Sequence, residues 1–219
     1  MEGDVLLREL FRSYWIGDDL QEIVGRYLMT LGWISEATRL HSIRVAAICG
    51  KLGKEIRIKG IHPRTLVIAG LLHDIGKINS DQGLLNKDGA FTAEERGRME
   101  AHVYDGWRIL RLHRRELQFV SHVAVRHHRF GKKPYPEKLP RLPASLVRHE
   151  ELINIYARLL ALADDYDSRM HRNDGRNGDN LSQFTKREQY LRDNDDQREF
   201  ILILECAGVI NFFPETTLV

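Results

Sequence analysis

Pro63-Arg64-Thr65-Leu66-Val67-Ile68-Ala69-Gly70-Leu71-Leu72-His73-Asp74-Ile75-Gly76-Lys77 is the stretch on which the reading of this chain turns. From Leu66 onward it is apolar nearly all round, the pattern of a helix buried on every side, and Pro63 suits the first turn, where a missing N–H costs nothing. A helix is expected over residues 63–75, with Gly76 ending it. It carries His73 and Asp74 into apolar surroundings, where polar groups are costly unless they are paired or bind a metal.

Either side of this stretch the apolar residues recur at three- and four-residue spacing, as in Val45, Ile48, Leu52 and Met99, Val103, Gly106, Leu110. No segment alternates in strand fashion, so the fold class is all-α, about eight helices around a central site. Helices are expected at 4–15, 18–31, 35–54, 63–75, 92–112, 115–128, 148–171 and 183–209. Thr92 followed by Glu95 forms a capping box at one start, and the β-branched run Ile201 to Leu204 continues the last helix. Four of the six prolines, Pro134, Pro136, Pro140 and Pro143, mark a loop between two helical stretches. Residues 1–34 read as an N-terminal helical segment packing on a core domain of residues 35–219. Its stripe Leu6, Leu7, Leu10, Phe11, Trp15 serves packing or a dimer face.

The informative polar residues are those on apolar stripes. His41 shares a face with Val45, Ile48 and Leu52; His102 with Met99, Gly106 and Ile109; His127 follows Leu117, Val120 and Val123. Asp164 stands one turn past Leu160 on a helix that buries Ile153 and Tyr156. Several helices thus aim imidazoles and carboxylates inward at intervals of roughly 25–36 residues, room for a helix, a turn and a return, and their convergence on one metal centre resolves the cost of burying them. A His-Asp pair alone is weak evidence, since composition predicts roughly 0.7 of them by chance; with the glycine and lysine of His73-Asp74-Ile75-Gly76-Lys77 the expectation falls to roughly 0.002.

Composition excludes several classes of function. The 219 residues carry 33 Lys and Arg against 31 Asp and Glu, a net charge of +2 that argues for neither a nucleic-acid nor a membrane partner. The longest apolar run, Leu66 to Leu72, falls far short of the roughly 20 residues of a membrane span, and the N-terminus lacks a secretory pattern. The expected location is cytoplasmic. Cys49 and Cys206 sit in no paired motif and read as buried core residues.

In order along the chain, His41, the His73 to Lys77 run, His102 with Gly106, His127-His128 and Asp164-Asp165-Tyr166-Asp167 resemble the HD-GYP branch of the HD-domain metal-dependent phosphohydrolases, over about residues 35 to 205. The resemblance implies a helical fold with a two-metal centre and, in many members, hydrolysis of cyclic di-GMP. It implies His41, His73, Asp74 and Asp164 as ligands of one metal, Asp74, His102, His127 and His128 as ligands of the second, and Lys77 as a donor to a phosphate oxygen. Some members hold a third metal through a glutamate one turn before the first histidine. That place is Ala37 here, and Glu36 is one residue out of register, so two ions are expected. The histidine-rich set with a bridging carboxylate favours iron, manganese, nickel or zinc over magnesium, and the resemblance points to iron or manganese. Two ions roughly 3.5–4 Å apart would hold a bridging hydroxide for attack on phosphorus, making the chain a phosphodiesterase.

After the histidine pair the chain departs from the family pattern, reading Arg129-Phe130-Gly131-Lys132-Lys133-Pro134-Tyr135-Pro136. Pro134 stands where the family has glycine and lacks its conformational range. The tyrosine and proline stand one place early. The loop from Gly131 to Ala144 brings Lys132, Lys133, Lys138 and Arg141 beside the histidine pair, and with Tyr135 they form a candidate substrate-binding surface. Arg108, Arg111, Arg114 and Arg115 read as a solvated helix end. The other five histidines receive no role, though His122 is near enough in sequence to support the ligands. The altered loop keeps two alternatives open: a phosphohydrolase for another nucleotide or a phosphomonoester, and a non-catalytic nucleotide-sensing module. With some 34 residues before the core, regulation is expected to come from partners.

Overall fold

The computed structural model describes residues 2–87, 89–171 and 182–213. Among these residues twelve α-helices follow in order: α1 (Glu2–Ser13), α2 (Asp18–Ile34), α3 (Glu36–Glu55), α4 (Pro63–Leu72), α5 (Gln82–Leu85), α6 (Ala93–Glu100), α7 (His102–Leu110), α8 (Arg115–Ala124), α9 (Ala144–Val147), α10 (Glu150–His171), α11 (Gln183–Asp193) and α12 (Arg198–Cys206). Tight 3₁₀ turns interrupt them at Ile75–Asn79, His127–Phe130 and Asp195–Gln197. Among the described residues no strand forms, and no helix is long and apolar enough to cross a membrane.

The all-α expectation holds, and the centre of the fold is the stretch first quoted. Every residue of α4 from Leu66 to Leu72 is buried. Its main partner is α3, and at the crossing Gly70 lies so close that an added Cβ would stand 2.6 Å from the Cα of Ala46. The long helix α10 covers α3 and α4 from one side, α8 packs on α4 and α10, and α1 and α2 pack on α3. Pro63 occupies the first turn of α4, and the Thr92–Glu95 capping box opens α6 with both reciprocal bonds.

Several expected helices end early, each for a visible reason. α4 stops at Leu72 rather than residue 75; Gly76 sits inside the 3₁₀ turn, not at the end of α4. What requires glycine there is the close approach of α7, because a Cβ on Gly76 would lie 1.9 Å from the carbonyl oxygen of His102 and 2.4 Å from the amide nitrogen of Gly106. The expected 92–112 helix breaks at Ala101: α6 buries no residue, whereas α7 buries His102, Val103, Gly106 and Leu110, so the break falls where the chain enters the core. α8 ends at Ala124, and His127 and His128 stand on the following 3₁₀ turn. The 183–209 helix divides at Asn194, whose side-chain Nδ2 donates to the carbonyl of Tyr190, and Ile201 to Leu204 are helical as expected.

One smaller expectation fails and another holds in part. Cys49 is buried but Cys206 is exposed, on the outer face of α12. Leu10 and Phe11 are buried and Leu6 and Leu7 pack against them, but Trp15 lies past the end of α1 with φ 52° and is 87% exposed.

Candidate metal centre

Three of the histidines are fixed by one device. Nδ1 of His73 donates to the carbonyl of Gly70 at 2.8 Å, that of His102 to Met99 at 2.6 Å and that of His127 to Ala124 at 2.6 Å, in each case three residues back along the chain. With Nδ1 committed as donor, each ring presents the lone pair of Nε2. His41, on α3, commits its Nδ1 to Asp167 Oδ2 at 2.8 Å instead. Nε2 of all four histidines and Oδ1 of Asp74 are buried without a hydrogen-bond partner. Buried polar atoms are rarely left so, and five of them converging call for a ligand they all can share.

The convergence is tight. Asp74 Oδ1 lies 3.2 Å from His102 Nε2, and Asp74 Oδ2 lies 3.4 Å from His73 Nε2 and 3.8 Å from His41 Nε2. Asp164, reaching in from α10, puts Oδ1 3.0 Å from His41 Nε2 and Oδ2 4.0 Å from His127 Nε2. The His128 ring tilts against that of His127 with centroids 3.8 Å apart. Three sets, His41–His73–Asp164, His73–Asp74–His127 and His102–His127–His128, each hold donor atoms within 4.8 Å of one another. Lone pairs facing lone pairs at such distances repel unless a cation or proton lies between them.

Electrostatics prepares these atoms for a cation. Burial pushes His102 down to about 3 and His127 to about 4, and drives His128 well below the ordinary imidazole range, so all three are neutral donors at neutral pH. For Asp74 burial works the other way, but Lys77 and His73 outweigh it and hold the carboxyl well below its usual range. Asp164 is held down likewise, mainly by His41 against its own burial. Burial also opposes charge on His41, yet Asp164 and Asp167 prevail and raise it. At His102, His127 and His128, neutral imidazoles beside ionised carboxylates are the protonation states a divalent ion needs. The buried cluster can therefore hold one or two divalent metal ions.

The cluster floors a cavity of about 690 Å³ that Lys77, Phe130, Lys132 and Tyr135 help to line. Lys77 Nζ donates to Asp74 Oδ2 at 2.5 Å, and the Tyr135 ring stacks on His128 at 4.4 Å. Lys132 reaches across the rim to Asp193 Oδ1 at 2.6 Å, whereas Lys133 is exposed and is not among the lining residues. Glu36 spends both oxygens on Arg39, at 2.7 Å each, and lies outside the cavity lining. His122 faces Trp107 with centroids 6.2 Å apart, away from the cavity lining.

Sequence reading assigned no role to Asp167 and Arg44, which meet behind His41. Arg44 donates from Nε to Oδ1 at 2.8 Å and from Nη2 to Oδ2 at 2.9 Å. The available signal was the three-residue step from Asp164 to Asp167, which puts both carboxylates on one face of α10. Also unassigned was the rim network in which Arg169 bonds Asp165 at 2.9 Å and Asp193 at 2.8 Å.

The sequence is similar to known phosphodiesterases over much of its length. A cyclic di-GMP phosphodiesterase of Pseudomonas aeruginosa is 29% identical over 183 residues, 83% of this chain and 42% of that protein. A cyclic di-GMP phosphodiesterase of Thermotoga maritima is 31% identical over 166 residues, 75% of this chain and 42% of that protein. A 3'3'-cGAMP-specific phosphodiesterase of Vibrio cholerae is 31% identical over 136 residues, 61% of this chain and 24% of that protein. The chain thus spans less than half the length of these relatives. The HD domain model matches residues 38–169, a span that holds all seven His and Asp residues of the cluster, and with more than half its length matched the chain belongs to the HD domain family.

Proposed function

We propose that this chain is a metal-dependent phosphodiesterase of the HD-GYP kind, acting on a cyclic dinucleotide, cyclic di-GMP foremost. The observation that carries this reading is the ring of four unpartnered Nε2 atoms and Asp74 Oδ1 at the floor of a cavity large enough for a small ligand. His41, His73, Asp74 and Asp164 would hold one divalent ion and Asp74, His102, His127 and His128 a second; the donor set suits iron, manganese, nickel or zinc, and the family resemblance favours iron or manganese. Bound there, divalent ions supply positive charge to phosphoryl oxygens and acidify water to a nucleophile at neutral pH.

The chain's own groups do the rest. The carbonyl bonds to Nδ1 of His73, His102 and His127 fix ring orientation before substrate arrives, so little reorganisation is left for the reaction. Lys77, buried beside Asp74, is within reach of a non-bridging phosphoryl oxygen at the same spot. Tyr135 holds the ring of His128 and forms the cavity wall on that side. Lys132 grips a phosphate by exchanging Asp193 for it, and Lys133 stands further out on the same loop.

Chromatography of products tests the reading. Protein loaded anaerobically with iron or manganese is mixed with cyclic di-GMP, with 3'3'-cGAMP and with a generic phosphodiester. A linear dinucleotide or mononucleotide from either cyclic substrate is the expected result, lost in Asp74→Ala. Cleavage of the generic ester alone moves the substrate elsewhere, the second reading that Pro134 in the altered loop favours; no cleavage with any metal leaves a nucleotide-sensing module.

A further inference from the structure

His41 is oriented differently from the other histidines with an unpartnered Nε2. Where His73, His102 and His127 use a backbone carbonyl, His41 uses the carboxylate of Asp167, which is 0% exposed. That carboxylate is itself gripped by Arg44 through two bonds and approached by His171 Nδ1 at 2.9 Å. We propose that Asp167 is a positioning residue that makes the two halves of the metal centre unequal. The half built on His41, His73 and Asp164 holds its divalent ion more tightly than the half built on His102, His127 and His128. The inference rests on the metal-dependent reading above.

The physical ground is charge. A carboxylate accepting from Nδ1 leaves more electron density on Nε2 than a carbonyl dipole does, and supporting groups of this kind are worth about 10–100-fold in metal affinity. The same half also contains the carboxylate of Asp164, whereas the other half offers three imidazoles. Arg44 fixes the carboxylate in place, and its charge offsets part of that gain. Asp164 and Asp167 project from one face of α10, so a single helix supplies both a ligand to this half and the support of its neighbour.

Titration of metal-stripped protein with Mn²⁺, followed by calorimetry, tests the proposal. Wild-type protein should bind in two steps. Asp167→Asn should weaken the tighter step about 10–100-fold and leave the weaker one within about twofold. Arg44→Ala, which breaks the tie between α3 and α10 but keeps the carboxylate, should lower the melting temperature and change neither step by more than about threefold. Equal loss at both steps in Asp167→Asn, no loss, or the same loss in Arg44→Ala overturns the proposal by showing that Asp167 only ties the helices together. If Asp167→Asn does not fold, ¹⁵N–¹H spectra of the Zn²⁺-loaded wild type decide: one imidazole Nδ1–H proton should lie well downfield of the three bonded to carbonyls, and coincident shifts overturn it. Wild-type protein that binds no Mn²⁺ defeats the metal-dependent reading itself, an outcome distinct from a bound ion that ignores Asp167→Asn.

Discussion

Replacing Gly76 by alanine should cost more than the same change at any other described glycine. The new Cβ would stand 1.9 Å from the carbonyl oxygen of His102, 2.4 Å from the amide nitrogen of Gly106 and 2.8 Å from the carbonyl carbon of His102. All three are backbone atoms, so no side chain can swing away. Ordinary Cβ contacts begin near 3.4 Å, so the turn and α7 must part by about 1.5 Å. Overpacking of a close-packed interior costs about 1–3 kcal/mol, and a backbone clash belongs at the upper end. At about 2–4 °C per kcal/mol for a chain of this size, the melting temperature should fall by about 6–12 °C. The displacement also has a chemical consequence. α7 begins with His102, whose Nε2 lies 3.2 Å from Asp74 Oδ1, and metal sites tolerate only about 0.2 Å in their ligand distances. Mn²⁺ affinity in the surviving folded protein should therefore fall at least about tenfold. Thermal unfolding followed by circular dichroism, with a Mn²⁺ titration of the same sample, checks both. A melting temperature within about 2 °C of wild type with unchanged Mn²⁺ binding would refute the claim that this glycine exists for the approach of α7.

The same substitution at Gly25, inside α2 with nothing within 4 Å of the added Cβ, should raise stability by about 0.8 kcal/mol and the melting temperature by about 2–3 °C; a decrease would show the helix face to be occupied. Removing divalent ions with a chelator should lower the melting temperature, and Mn²⁺ at a hundred times its dissociation constant should restore about 2.7 kcal/mol in a denaturant titration, with no restoration in His73→Ala. Lys132→Ala should raise the Michaelis constant for the cyclic dinucleotide about threefold or more, whereas Lys133→Ala should leave it unchanged; equal effects would make the loop a diffuse basic surface. Of the two cysteines, Cys206 should react with a thiol reagent within seconds, and Cys49, fully buried with its thiol pushed up by burial, only on unfolding; two fast equivalents would contradict that burial.

Much of the fold was legible because burial leaves its mark on periodicity. α4 is apolar on every face and is buried on every face, and the capping box at Thr92 appears with both of its bonds. Helix ends were not legible where the cause is a tertiary contact or a side chain turned back on its own backbone. The bond from His73 Nδ1 to the Gly70 carbonyl, just where α4 stops, leaves no trace in the apolar pattern, and the break at Ala101 answers to where the core begins rather than to any breaker residue. Cys206 illustrates the converse error, because a residue type that is usually buried is expected in the core without a surface to bury it against.

At the site, sequence could name the inward-facing histidines because each shares a stripe with aliphatic neighbours, yet it could not say what holds their rings. That second question decides what the site can bind. A histidine on a core stripe could point either nitrogen inward; at His73, His102 and His127 the Nδ1 bond to a carbonyl three residues back settles the choice and leaves Nε2 facing the centre. Those bonds fall where the expected helices stop short, after Leu72, at Ala101 and after Ala124. The early helix ends and the aligned imidazoles are therefore one phenomenon. If that is so, extending α8 through residue 128 by strengthening its helix propensity should straighten the turn, release the His127 Nδ1 bond to Ala124 and weaken Mn²⁺ binding without touching a ligand. Val125→Ala with Arg126→Leu is the variant to try, since Arg126 Nη1 donates to the His122 carbonyl at 2.7 Å near the end of α8. Higher helical content with unchanged Mn²⁺ affinity would separate the two phenomena and defeat the argument.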